Sequence, residues 1–183
     1  MSIKWVELEP KRWYYILHPR LTAVIASCAE GICSAMAASW ITPVSRDPPY
    51  LAVAIAPQRF TYSLIEKSRS FSVNILPFTR VRELHYLGTV SAREEPRKLE
   101  LSKLTWSRGR ALDVPICLDS LAIAECTVEF AKLFGDHVLV VGHIKSAYVR
   151  EDVKLCDPKE YRVVLHLGGS RYTKPSEEFI EIA

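Results

Sequence analysis

Apolar and polar residues alternate along most of this chain. In "SFSVNIL", residues 70–76, Phe71, Val73 and Ile75 share one face and Ser70, Ser72 and Asn74 the other. That is a strand period. "LTAVIAS" is apolar and β-branched, and "YLAVAIA" follows Asp47-Pro48-Pro49, a turn no helix accommodates. "LAIAECTVEFAKLF" and "VLVVGHIKSAYV" flank Gly135-Asp136-His137, which predicts two long strands joined by a tight turn. "RVVLHLGG" reads as a last strand ending on glycines. Helical spacing is confined to two stretches. "TYSLIEKSR" predicts a helix capped at Thr61, with Leu64 and Ile65 forming an apolar stripe with Phe60. "TRVRELHYLG" predicts a second, with Thr79 as cap, Val81, Leu84 and Leu87 or His85 inward, and Gly88 as stop. Many antiparallel strands with two short helices predict a mostly β fold, a decorated barrel. No strand–helix alternation supports a doubly wound parallel sheet, and Gly168-Gly169 lacks dinucleotide-fingerprint spacing.

Length adds one domain over residues 1–183, with an N-terminal extension (1–18) and a C-terminal tail (173–183). "REEPRKLELSKLTWSRGRALDVP", residues 93–115, is the most charged segment and reads as a long surface excursion. The net charge of +3 has no basic block or basic–aromatic stripe, so nucleic acid is not an expected partner. No apolar run is long enough for a membrane helix, and the N-terminus has no signal-peptide core, so a cytoplasmic protein is expected. Five irregularly spaced cysteines argue against a disulfide framework or a zinc site and read as buried thiols. One Asn and one Gln in the whole chain point to a thermophilic source.

Candidate chemistry gathers at three places. Arg59-Phe60-Thr61 lies where a strand meets a helix start, so free N–H groups, a dipole, a hydroxyl and a guanidinium would converge on a phosphate. The same residues also read as an ordinary helix start with a solvated arginine. His85, Ser91 and Arg93 surround a helix end and would hold an anion, or simply cap it. His137 follows the hairpin turn, either exposed or leaning over a ligand, while His18, His143 and His166 read as structural. The segment Met36-Ala37-Ala38-Ser39-Trp40 raises a separate question, because small side chains expose main-chain N–H groups to a polar ring. Trp40 reads as a core anchor behind such a ring or as its wall, the core role being preferred. No nucleophile–base pair is recognisable, so any enzyme chemistry is expected from a cofactor.

The segments "AMAASWITPVSRDPPYLAVAI", "RFTYSLIEKSRSFSVNIL", "HYLGTVSARE", "LGDHVLVVGHI" and "LHLGGSRYTKP" together resemble the flavin reductase-like, flavoredoxin-type FMN-binding proteins, in family order across residues 19–175. The resemblance implies a split β-barrel, a non-covalent flavin (FMN, with FAD possible) at a homodimer interface, and a reductase fed by NADH or NADPH. It implies that Met36, Ala37, Ala38, Ser39 and Trp40 run along the flavin. Arg59, Phe60 and Thr61 would hold its phosphate end, Asn74, His85, Ser91 and Arg93 would line the site, and Arg171 and Tyr172 would close over it. His137 would serve the nicotinamide side. The departures are Ala37 where a Thr is common, Ala92 where a Gly is common, and "PRKLE", which makes Lys98 the nearest added positive charge. The expected activity is an FMN-dependent NAD(P)H:flavin oxidoreductase passing electrons to a flavin, an oxygenase or a protein acceptor. The alternatives are a non-catalytic FMN electron-transfer protein, and a split barrel that binds another ligand or none.

Overall fold

The strand patterns condense into one large antiparallel sheet. The structure, a computed structural model, describes residues 3–182. Its strands are β1 (Arg20–Leu21), β2 (Ala23–Ala29), β3 (Ile32–Ala38), β4 (Ile41–Ser45), β5 (Tyr50–Ile55), β6 (Ser70–Ile75), β7 (Trp106–Arg108), β8 (Pro115–Cys117), β9 (Ala122–Phe134), β10 (His137–Val149), β11 (Leu165–Gly168) and β12 (Arg171–Thr173). Seven of them form a sheet in the order β3-β2-β6-β9-β10-β5-β4. β1, β11 and β12 form a second sheet, and β7 pairs with β8. The expected mostly β, antiparallel architecture is what the chain adopts.

The β3-β2-β6 side of the sheet is buried on both faces because two clusters sandwich it. Ile25, Val53, Phe71, Val73 and Val140 belong to one core cluster. Val24, Ala26 and Ala35 belong to the other, with Leu76, Leu84, Leu87 and Leu104. Along β2, successive side chains therefore feed alternate clusters, as a pleated strand requires. The second cluster is roofed by the helix α2 (Val81–Thr89), which buries Leu84 and Leu87. Each of those leucines contributes roughly 1.5–3 kcal/mol by leaving water. Helix α1 (Phe60–Ser68) lies against β2 and β3 and buries Thr61, Leu64 and Ile65. Its preceding residue is Arg59, not Thr61. Thr61 sits inside the first turn because its hydroxyl is recruited by Ser34, 3.1 Å away on β3. The second helix likewise begins later than Thr79, which falls in a short 3-10 turn at Phe78–Arg80, and it runs through Gly88.

Two further expectations change. The 93–115 segment is not a free surface excursion. It carries a short helix, α3 (Lys98–Leu101), and strand β7, and it buries Lys98, Leu104 and Val114. The cysteines are not all buried thiols. Cys117 and Cys126 are, and burial pushes their thiols up to about 11 and about 12. Cys156 is exposed. Cys28 and Cys33 form a disulfide. The reason is register: they face each other across the β2–β3 hairpin, whose turn is Glu30-Gly31. Both turn residues have positive φ, 54° and 77°, the conformation of a two-residue turn that favours Gly. No helix in the described residues is long and apolar enough to cross a membrane.

Candidate functional site

β3 is an edge strand, paired with β2 alone. An edge strand leaves every second residue with unpaired main-chain groups. The carbonyl of Ala35 shows which side is open, because Lys98 Nζ donates to it at 2.6 Å. Ala37, two residues on, presents its N–H and C=O to the same side. Its small side chain lets α2 close in, and a Cβ on Gly88 would sit 3.2 Å from Ala37 Cβ. Small residues thus bring a helix and a bare strand edge together.

A cavity of about 160 Å³ lies at the Ser34 end of this edge. It is lined by Ser34 and Met36 of β3, Arg59, Phe60 and Thr61 at the start of α1, and Ser91 and Lys98. Among the described residues no carboxylate lines it. The start of α1 has no side-chain cap; Tyr62 N donates to Arg59 O at 3.0 Å, which leaves the N–H groups of Phe60 and Thr61, two residues that line the cavity, without a helical acceptor. Arg59 Nη1 donates to Gly88 O at 3.4 Å, and Arg93 Nη1 donates to Gln58 O at 3.0 Å. Arg93 lies 5.5 Å from the centre of the Phe60 ring, and its backbone N–H donates to Ser91 Oγ at 3.2 Å. Lys98 is 3% exposed, and among the described residues its ammonium bonds only the Ala35 carbonyl. Burial, and then the charge of Arg59, pull its pKa down to about 8. A buried ammonium with no counter-ion and a helix start with no cap call for the same missing partner, an anion.

The other end of the edge is aromatic. Trp40 is half-buried, but it lines a cavity and belongs to neither core cluster, where a core anchor was preferred. His137 stacks on it with ring centres 4.4 Å apart. Together with Trp13, Tyr14 and Leu139 they line a cavity of about 740 Å³. His137 is the first residue of β10, and Asp136 Oδ1 lies 2.8 Å from its Nδ1. That bond, and the charge on His137 when protonated, hold the Asp136 carboxyl below its ordinary range.

Between the two ends runs a polar seam. His85 Nδ1 lies 3.0 Å from the Tyr172 hydroxyl. His166 Nε2 donates to Gly169 O at 2.9 Å, which leaves Nδ1 to accept from Ser39 Oγ at 3.5 Å. The rings of His166 and Tyr172 are 5.3 Å apart. Tyr172 sits on β12, a strand formed because the chain reverses at Gly168 and Gly169, both with positive φ. His166, read as structural from sequence, is therefore the link between Ser39 and the Tyr172 strand.

The structure gathers Met36, Arg59, Phe60, Thr61 and Ser91 at the cationic cavity, with Arg93 beside them. It gathers Ser39, His85 and Tyr172 along the seam, and Trp40 and His137 at the aromatic end. Ala38 faces the core, 7% exposed. Arg171 is exposed on β12. Asn74 does not reach the cleft. It is fully buried, donates to Val24 O at 3.1 Å and Ser72 Oγ at 2.8 Å, and accepts from Cys117 N at 2.8 Å. The side-chain amide of Asn74 is thus used to tie β2, β6 and β8 together. Ser34 was missed from sequence because its role depends on Thr61, twenty-seven positions away. Among the described residues no cluster of His, Cys, Asp or Glu could hold a metal ion.

These features define a class: an antiparallel β domain with an anion-seeking cleft along one bare strand edge. The flavin reductase like domain model matches residues 16–165, and the chain belongs to that family. An uncharacterized protein of Aeropyrum pernix is 33% identical over 87% of this chain, which spans 62% of that relative's length. An NADH-dependent flavin reductase of a Rhodococcus species is 30% identical over 62% of this chain and 59% of its own. The crystal structure of an FMN-binding protein from Thermus thermophilus with bound 1-cyclohex-2-enone has a TM-score of 0.85 and 30% identity, over 99% of this chain and all of that one.

Proposed function

We propose that the chain binds FMN and is an NAD(P)H-dependent flavin oxidoreductase. The observation that carries this reading is Lys98, a buried ammonium aimed into a carboxylate-free cavity at an uncapped helix start. Arg59, Lys98, Thr61 and the first N–H groups of α1 would hold the phosphate. The cavity's size suits a terminal phosphate better than one extended by an adenosine. Ala37 and Ser39 would offer main-chain groups to the ring system, with Trp40 as a side wall. When bound, the flavin supplies the hydride-accepting redox chemistry of the reaction. His137 would orient the nicotinamide in the aromatic cavity. Alignment of donor and acceptor does most of the work of a hydride transfer, so no acid or base is required of the protein. The Rhodococcus relative supports NADH as a donor, and the enone bound to the Thermus protein supports a small conjugated carbonyl compound among the acceptors. A homodimer, with an oxygenase or redox protein downstream, completes the reading.

The direct test is the visible spectrum of the purified protein and identification of the released chromophore, followed by rapid mixing with NADH and NADPH. Bleaching of the flavin band within a turnover supports the enzyme; a bound flavin that neither donor bleaches leaves only an electron carrier. Arg59→Ala is expected to weaken FMN binding by roughly 1.5–3 kcal/mol, the worth of a charge-assisted hydrogen bond. Unchanged affinity by fluorescence titration removes Arg59 from the site. His137→Ala is expected to slow reduction by NAD(P)H and leave FMN affinity intact. The reverse pattern would exchange the two roles.

A further inference from the structure

The disulfide and the anion cavity share one helix. Cys28 and Cys33 close the β2–β3 hairpin one residue pair before its turn. Both are half-exposed, and a cleft of about 460 Å³ opens beside them with Glu30, Lys67 and Asp113 among its walls. A soluble thiol can therefore approach the bond. Each cysteine is flanked by a serine that holds α1. Ser34, next to Cys33, bonds Thr61 in the first turn of α1 at 3.1 Å. Ser27, next to Cys28, bonds Ser68 at the last residue of α1 at 3.0 Å. Lys67 of α1 also pairs with Glu30 in the hairpin turn at 2.7 Å. The helix is fastened at both ends to the residues that flank the disulfide. Its first turn is a wall of the anion cavity.

We propose that Cys28–Cys33 is a thiol–disulfide exchange site for dithiol reductants, and that its oxidation state sets how firmly α1 holds a phosphate. A thiolate of the reductant attacks one sulfur and forms a mixed disulfide, releasing the other cysteine as a thiolate. The reductant's second thiol closes its own disulfide and frees the remaining cysteine. Two electrons enter the protein, the reductant is oxidised by two, and each cysteine thiolate takes up a proton. Once the cross-link is open, the hairpin end regains freedom that Ser27 and Ser34 pass to α1. Cys28 and Cys33 are positioning residues, since neither lines the anion cavity. The consequence for flavin rests on the phosphate site proposed above.

The test uses the full chain, oxidised and then reduced with dithiothreitol, with free thiols counted. In flavin-free protein, reduction is expected to speed amide exchange at residues 62–65, the first turn's paired N–H groups. It is expected to raise the dissociation constant for FMN about five- to tenfold, a coupling of ordinary size. Ser34→Ala should remove most of that difference, and Cys28→Ser/Cys33→Ser should mimic the reduced protein. If the double variant does not fold, reduced wild type carries the comparison. Reduction that lowers only the melting temperature, with α1 exchange and FMN affinity unchanged, makes the bond a plain brace and overturns the proposal. FMN binding to neither form would overturn the phosphate site instead, and α1 exchange alone would then decide the coupling.

Discussion

Lys98→Met is expected to weaken FMN binding about 10- to 100-fold and to leave riboflavin binding nearly unchanged. The argument starts in the flavin-free protein. Lys98 is almost fully buried, its ammonium bonds a carbonyl and no described carboxylate, and its pKa is pulled to about 8 by burial and by Arg59. Keeping that ammonium charged at neutral pH costs about 3 kcal/mol of folding stability. Met keeps the stem and drops the charge, so the flavin-free variant should melt several degrees higher than wild type. The sign with pH follows from the depressed value. Between about pH 8 and the ordinary lysine range, the folded protein releases this proton while the unfolded chain keeps it. Wild-type stability rises through that window and the advantage of the variant shrinks.

Binding runs the opposite way. A phosphate favours the charged ammonium, so the cleft takes up a proton with FMN above about pH 8. FMN affinity should then fall by about tenfold per pH unit, whereas riboflavin, with no phosphate, should show no such slope. In Lys98→Met the slope should vanish. Equal losses for FMN and riboflavin, or a slope that survives in the variant, would take the phosphate away from Lys98.

How much of this was readable beforehand depends on the range of the interaction. The β9–β10 hairpin was legible because its two strand patterns and its turn are contiguous in sequence. The helices were legible as periodicity, but the start of α1 was not. A threonine before an apolar stripe is a good cap by local rules, and only the fold brings Ser34 to claim its hydroxyl. Trp40 illustrates the same limit from the other side. A strand tryptophan is usually packed, yet β4 crosses to pair with β5 right after it, Ala54 N donates to Trp40 O at 2.9 Å, and the ring is left facing a cavity. Asn74 was carried to the site by resemblance, while the structure spends its side-chain amide on β2, β6 and β8. The Cys28–Cys33 bond was missed because the irregular spacing of the cysteines was read without the turn between these two. With Glu30-Gly31 read as a two-residue turn, they fall opposite each other.

Glu125→Ala is expected to cost about 3–5 kcal/mol, the largest stability loss argued from this structure. Glu125 lies in the middle of β9 and is fully buried. Its carboxylate accepts from the N–H groups of Arg110, Ala111 and Leu112 at 2.8, 3.0 and 2.7 Å, and from the Tyr148 hydroxyl at 3.1 Å. Burial alone would raise its pKa, but these four donors outweigh burial and hold it below the ordinary carboxyl range. A Cβ on Gly109 would come within 2.5 Å of the same carboxylate, which explains a glycine at that bend. Truncation to Ala leaves all four donors without their carboxylate partner. Glu125→Gln should also destabilise, since its NH₂ would face donors. The loss should read as a fall of about 10 °C in melting temperature for Ala, and less for Gln. The stabilisation is fully present above the ordinary carboxyl pKa and is lost as pH falls through the lowered folded value, so the gap between wild type and Glu125→Ala should narrow in acid. The loop that Glu125 holds is the far end of the segment whose near end carries Lys98. A variant that is still folded should therefore also bind FMN more weakly than wild type. A Glu125→Ala protein with wild-type melting behaviour would show that the 109–114 loop is held by other means.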